Sequence, residues 1–217
     1  MTPLDMVRAA SRALKVFPLP QAVLFPGTAI PLHIFEPRYR ALVRDCLGSD
    51  RVMALVQLQP GWIEEEPARP PMQEMACAGL IVAHEALEGG KYNIVLQGTV
   101  RVRLLAELPP DKPYREARVE VVEDAPYRGR DAEMLRQAVL EVCHRLPGEA
   151  AEGLVQLAAQ NDGGALADVL GAALVLDPER RQRILAEQSI PARLQLVTAE
   201  VGALMAKLAP PNSSMPS

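Results

Sequence analysis

The sequence is poor in the residues that usually carry chemistry. Of its 217 residues three are cysteines, three are histidines and one is tryptophan, and aromatics make up 4%. Cys46, Cys77 and Cys143 form an odd, scattered set without CxxC spacing. That speaks against a disulfide framework and for a reducing cytoplasm, with the thiols as small core residues. His33, His84 and His144 include no i, i+4 pair, so no metal centre is expected. Cys143 and His144 are neighbours, which on a helix point about 100° apart and cannot act as nucleophile and base. Lysine is confined to Lys15, Lys91, Lys112 and Lys207, a bias that base composition of the source explains without function. Neither sign of charge dominates: the net charge is -4, so no global field draws the chain to nucleic acid or to an anionic membrane. No apolar run approaches the roughly 18 residues of a membrane span. The first fifteen residues carry Asp5, Arg8, Arg12 and Lys15 rather than the core of a secretion signal. The expectation is a soluble, cytoplasmic protein.

What is present falls into two halves. "FPLPQAVLFPGTAIPLHIFEPRYRALV" sets prolines among apolar residues, which predicts short extended pieces at Val16-Phe17, Ala22 to Phe25 and Ile30 to Ile34, with a turn at Pro26-Gly27. Phe25, Leu32 and Phe35 are expected to be buried. Glu36-Pro37 opens a helix whose stripe is Tyr39, Leu42, Val43, Cys46 and Leu47, ending at Gly48. From Arg51 to Glu123 the period is that of strands. In "TVRVRLL" the alternation puts Val100, Val102 and Leu104 on one face and Thr99, Arg101 and Arg103 on another, expected to be wet. Gly89-Gly90 marks a hairpin. These segments predict an antiparallel sheet of about six strands, curled or closed, with one inserted helix. Beyond Tyr127 the pattern is helical, with a strong helix start at "DPER" (Asp177 to Arg180) and a final seam of Leu194, Val197, Val201, Leu204 and Leu208. The prediction is an α+β chain: a β-rich part over 12–125, a helical bundle over 126–209 and a disordered tail over 210–217.

Leu19-Pro20, Phe25-Pro26-Gly27, Pro31-Leu32, Ile34-Phe35-Glu36 and Arg38-Tyr39 follow an LP-x4-FPG-x3-PLxIFExRY pattern. With Gly79-Leu80-Ile81, the "YNIVLQGTVRVRLL" block and the helices from Gly163, the chain resembles the amino-terminal substrate-binding domain of the ATP-dependent Lon protease and its free-standing bacterial relatives. The resemblance implies a PUA-like pseudo-barrel followed by a helical bundle. It also implies a non-enzymatic role in recognising unfolded or apolar polypeptide segments or a protein partner, without ATPase or protease domains. The residues agree: the only Gly-Lys, Gly90-Lys91, is followed by Tyr92 and lacks the earlier glycine of a phosphate loop. Ser11 and Lys15 are four apart rather than the three of an SxxK arrangement, in an amino terminus expected to fray. No cofactor is expected.

The candidate peptide-binding segment is the long connection over 60–75, "PGWIEEEPARPPMQEM", which holds Trp62, Ile63, Met72 and Met75. Tryptophan offers large contact area at low entropy cost and methionine adapts to many shapes. The competing reading is that the loop folds back and caps one end of the barrel. Glu64 to Glu66 read as solvated charge. The alternative function is an RNA-binding accessory module using the PUA-like sheet, with Arg101, Arg103, Arg115 and Arg118 as the basic patch; nucleic acid is disfavoured by the acidic balance and by the absence of interleaved aromatics. A computed surface separates the two readings: an apolar groove or a basic stripe.

Overall fold

The computed structural model describes residues 1–61 and 69–208. Six strands form one mixed sheet: β1 (Leu14–Leu19), β2 (Ala29–Ile34), β3 (Val52–Gln57), β4 (Met75–Ala86), β5 (Tyr92–Glu107) and β6 (Arg115–Val122). Their order is β2-β5-β4-β3-β1-β6, and a further β5–β6 pairing closes the last five into a barrel. The sheet is not wholly antiparallel as expected, because β1 and β3 pair in parallel, Val16 opposite Ala54. The crossover helix α2 (Pro37–Leu47) makes that connection possible. Residues 22–25, expected to be extended, join no strand.

The strand β3 shows why the barrel holds together: all six residues are buried. Val52, Ala54 and Val56 face an inner core of small and β-branched side chains, with Val16, Ala78, Val100, Val102 and Val119. Met53 and Leu55 face an outer core shared with α2 and the helical part. The inner core is closed by α1 (Pro3–Ala10), whose Val7 is fully buried. The amino terminus is therefore a helix rather than a frayed end. Thr2 and Asp5 form a reciprocal capping box that satisfies its first amides.

The proline-rich opening is architectural. Gly27 takes a left-handed φ of 79°, and its N–H donates to the Gly98 carbonyl at 3.0 Å while the Gly98 N–H donates to Thr28 O at 2.8 Å. A Cβ on Gly98 would strike the Phe25 carbonyl oxygen, so the FPG turn and the "LQG" of β5 require each other. Tyr39 locks α2 onto β1: its ring meets Phe17 edge-on at 4.4 Å and its hydroxyl donates to Pro18 O at 3.3 Å. Phe25 is fully buried and Leu32 half-buried, but Phe35, expected in the core, is 58% exposed. It directly precedes the helix-opening Glu36-Pro37 and lies on the outer side of the sheet with His33.

The helical part comprises α3 (Asp131–Cys143), α4 (Gly148–Gln160), α5 (Gly163–Leu174), α6 (Pro178–Ala186) and α7 (Ile190–Leu208). In the final seam Leu194, Val197 and Val201 are buried, and Leu208 at the end is 38% exposed. The helices pack on the outer face of the barrel in one continuous core with it. The expected tail over 210–217 lies outside the described residues.

Candidate recognition surface

Of the four residues expected to contact a peptide, Trp62 and Ile63 lie outside the described residues. The two others are drawn into the barrel end. Met75 opens β4, is 6% exposed in the outer core, and offers only its carbonyl, which accepts from Gln182 Nε2 at 2.7 Å. It is therefore a core residue. Met72 is half-buried against the inner core. The connection is zipped at its base: Leu58 bridges Met72, the Gln59 N–H donates to Pro71 O at 2.9 Å, the Gln73 N–H donates to Gln57 O at 2.8 Å, and Gln59 Nε2 donates to Met72 O at 3.0 Å. The stem is thus rigid.

A groove of about 680 Å³ opens beside this stem, between Gln57, Gln59 and Pro60 on the barrel and Asp177 and Glu179 at the start of α6. Asp177 caps that helix, accepting from the Arg180 N–H at 2.9 Å. Gln57, which ends an otherwise apolar strand, is 5% exposed, and its Oε1 has no hydrogen-bond donor among the described residues. Sequence reading missed Gln57; the signal was a lone amide at the end of a fully apolar run.

A second open surface lies on the wing where β2 adds to β5 and β4. It is mainly apolar, with Pro31, Ala83 and Val95 along it. A polar ladder crosses its three strands: His33 Nδ1 meets Asn93 Oδ1 at 2.8 Å, and Asn93 Nδ2 donates to Glu85 Oε2 at 3.0 Å. Since the Asn93 amide nitrogen serves Glu85, its oxygen accepts from His33 Nδ1–H. Phe35 stacks on His33 at 6.1 Å.

The thiols are buried or half-buried, and most of the sheet arginines are engaged. Burial pushes the thiols of Cys46 and Cys77 up to about 12, and it raises Cys143, so none is an activated nucleophile. Among the described residues no three His, Cys, Asp or Glu side chains gather as a metal site. Of the four arginines of the alternative basic patch, Arg118 is exposed and joins no ion pair among the described residues, whereas Arg101, Arg103 and Arg115 are engaged. Arg101 is 2% exposed, because the helices cover the face expected to be wet; its guanidinium grips Asp168 of α5 at 2.9 and 2.5 Å and donates from Nε to Leu185 O at 2.8 Å. Burial opposes the Arg101 charge, but the bonds to Asp168 more than offset it and hold its pKa above the ordinary value. Burial likewise pushes the Asp168 carboxyl up, against the pull of Arg101 and Arg193. The fully buried Arg193 of α7 lies 3.3 Å from Asp168 and pairs with Asp124. Gly164 leaves room for this cluster, since a Cβ there would strike Asp124 and Arg193. Arg103 pairs with Glu74 and Glu120, and Arg115 with Glu107.

Residues 13–201 match the family model of the ATP-dependent protease La (LON) substrate-binding domain. Lon protease 2 of Myxococcus xanthus is 31% identical over 194 residues, which cover 86% of this chain and 23% of that protein. The Lon protease of Anaeromyxobacter dehalogenans is 30% identical over 193 residues, covering 85% and 22%. The chain thus spans about a quarter of the length of these relatives. Two solved structures share the fold. The N terminal domain of Mycobacterium avium complex Lon protease superposes with a TM-score of 0.67 at 15% identity, over 88% of this chain and 98% of that one. The Lon N-terminal domain protein from Xanthomonas campestris gives 0.63 at 23% identity, over 86% and 97%. Fold, motif and sequence agree that the chain belongs to the family of LON substrate-binding domains.

Proposed function

We propose that these residues form a polypeptide-recognition module that binds unfolded or apolar segments, or a protein partner, and performs no chemistry of its own. The match of residues 13–201 to a substrate-binding domain carries the reading. The raised thiol pKa values and the engaged arginines support it, because they leave surfaces suited to contact rather than to turnover. Trp62 and Ile63 are the proposed apolar anchors, and the residues that flank their segment in sequence are tied together by bonds of Gln59 and Gln73. A preordered stem lowers the entropy lost on binding. Single apolar anchors are worth about 1–3 kcal/mol, so affinity should be about micromolar.

The test is a titration of a fluorescent unfolded apolar peptide and of a short RNA, each at low and high salt, against the protein and its Trp62→Ala variant. The peptide should bind with little salt dependence and bind several-fold more weakly to the variant. Phosphate-driven RNA association would weaken steeply with salt. RNA binding alone, or peptide affinity indifferent to Trp62→Ala, would contradict the reading.

A further inference from the structure

Helix α1 precedes residues 13–201, which match the family domain. The seat on which it lies is therefore built by the domain, and α1 only fills it. Leu4, Val7 and Ala10, at i, i+3 and i+6, form the face that packs across β3, β4 and β5. Val7 is fully buried in the inner core, while Leu4, Met6 and Ala10 are half-buried. Its polar ties to the barrel, among the described residues, are the half-exposed pair Arg8–Glu123 and, at the hinge, the Val119 N–H donating to Ser11 O at 2.8 Å. A cleft of about 270 Å³ remains beside Leu4, walled by Pro26, Val100 and Val122, so α1 fills the seat incompletely. Isolated helices shorter than about 12–15 residues are marginal in water, and α1 has eight residues. It is helical because the seat holds it. The β5–β6 pairing closes the barrel without it, and a segment with so few buried contacts opens locally at far less cost than the whole fold.

A seat that holds a helix by an apolar face and one ion pair accepts any helix with the same face, tethered or free. We propose that α1 is a displaceable plug, and that the seat it vacates binds a short amphipathic helix of a polypeptide partner. The fitting helix carries apolar side chains at i, i+3 and i+6 and sets a basic residue against Glu123, as Arg8 does. A larger side chain at the position of Leu4 would gain contacts in the cleft that α1 forgoes. The inference rests on the polypeptide-recognition reading for the nature of the partner, and gives it a second site, closed by the chain itself and independent of Trp62. Tethered through Ser11, α1 competes at an effective concentration of about millimolar. A partner therefore sees the seat only in proportion to the fraction that is open, and recognition there is gated.

The probe is a fluorescent peptide with the sequence of residues 1–12, titrated into the full chain and into its Val7→Asp variant, which releases the plug. Val7→Asp should keep the circular dichroism of the sheet and bind the peptide about tenfold or more tightly than the unmodified protein does, because the tethered competitor is gone. The same peptide carrying Val7→Asp should bind neither protein. Adding Trp62→Ala to the Val7→Asp protein should leave the affinity unchanged. In a separate Val7→Cys variant, labelling mapped by mass spectrometry should modify the introduced thiol about tenfold or more faster than Cys46 and Cys77 of the same molecule. Equal affinity for both proteins, no binding to a folded Val7→Asp variant, dependence on Trp62, or labelling of the introduced thiol no faster than that of the two buried cysteines would each overturn the plug. Loss of the folded spectrum in Val7→Asp would place α1 in the cooperative core and overturn it too. A dimer of the unmodified protein that Val7→Asp dissolves would give the seat to a second copy instead of a partner, and would also overturn the proposal. Binding of this peptide without any binding of unfolded apolar peptide would contradict the proposed function and leave the seat standing.

Discussion

Removing the carboxylate of Asp168 is the sharpest test of what joins the barrel to the helices. Asp168 is 2% exposed and accepts two bonds from Arg101, at 2.9 and 2.5 Å, with Arg193 Nε 3.3 Å away. In Asp168→Ala both guanidinium groups stay buried, and among the described residues the only carboxylate left to them is Asp124, whose side chain is 30% exposed. Breaking a buried ion pair by removing one partner costs about 3–5 kcal/mol, because the remaining charge is stranded. At about 2–4 °C per kcal/mol for a chain of this size, the thermal midpoint should fall by about 10 °C. Urea unfolding followed by far-UV circular dichroism measures the free energy directly. The double variant Arg101→Met with Asp168→Leu removes charge and countercharge together, and should recover most of the loss, since replacing a buried pair by apolar groups is often neutral. A loss below about 1 kcal/mol in Asp168→Ala, or a double variant no better than the single one, would refute the claim that an uncompensated charge governs the effect.

The exposed Phe35 should be almost neutral to folding: Phe35→Ala should cost under about 1 kcal/mol, against about 3–5 for the fully buried Phe25→Ala, and equal urea midpoints for the two variants would contradict this placement. Tyr114, 3% exposed, donates to Asp45 at 2.5 Å, and burial followed by that bond raises its phenol from 10.0 to about 12. Its contribution, of order 2 kcal/mol, is complete below the unfolded value of about 10 and lost as pH rises from there to about 12; melting curves across that window should show a steeper loss in the parent than in Tyr114→Phe. The same bond leads the causes that lower the Asp45 carboxyl, so its contribution is present above the ordinary carboxylate range and lost as pH falls through the depressed value. In thiol labelling of the folded protein Cys143 should react first, and Cys46 and Cys77 only on unfolding; rapid modification of either buried thiol would reopen the case for cysteine chemistry.

Helices were legible because their stripes repeat within a few residues: Asp177 caps α6 and Pro37 opens α2 as their sequences predict. The capping box of Thr2 and Asp5 was equally local, yet α1 was overlooked because charges crowd so short a segment. The face of β5 was misread for a different reason. Strict alternation states that two faces differ, and it does not state that the polar face meets water. The partner of Arg101 lies 67 residues away in α5, beyond the reach of any local pattern. Phe35 misled in the opposite sense, since an aromatic beside buried Ile34 reads as core, whereas period 2 sends neighbours to opposite faces. For the candidate surface, the long connection was visible in its length and composition. The groove beside it was not, since it joins Gln57 to Glu179 across more than half the chain.

That separation makes the placement of α6 decisive for the groove. A nine-residue helix is marginal by itself in water, so its position comes from tertiary contacts. Ile184 and Leu185 are buried beneath it, Gln182 donates to Met75 O on β4 at 2.7 Å, and Arg101 of β5 donates to Leu185 O at 2.8 Å. At its far end Arg193 Nη1 donates to Glu187 O at 3.0 Å. The arginines that bind Asp168 therefore also hold the last turn of α6 against the barrel, and a rigid helix fixed at its middle and end has its first turn fixed as well. Glu179 thus faces Gln57 because of a charge cluster at the opposite end of the helix. The α6 wall of the groove is held in place by the core, while the facing wall is formed largely by the loop residues that follow β1 and β3. The sequence puts much of its unusual polarity, two buried arginines and one buried aspartate, into holding that arrangement.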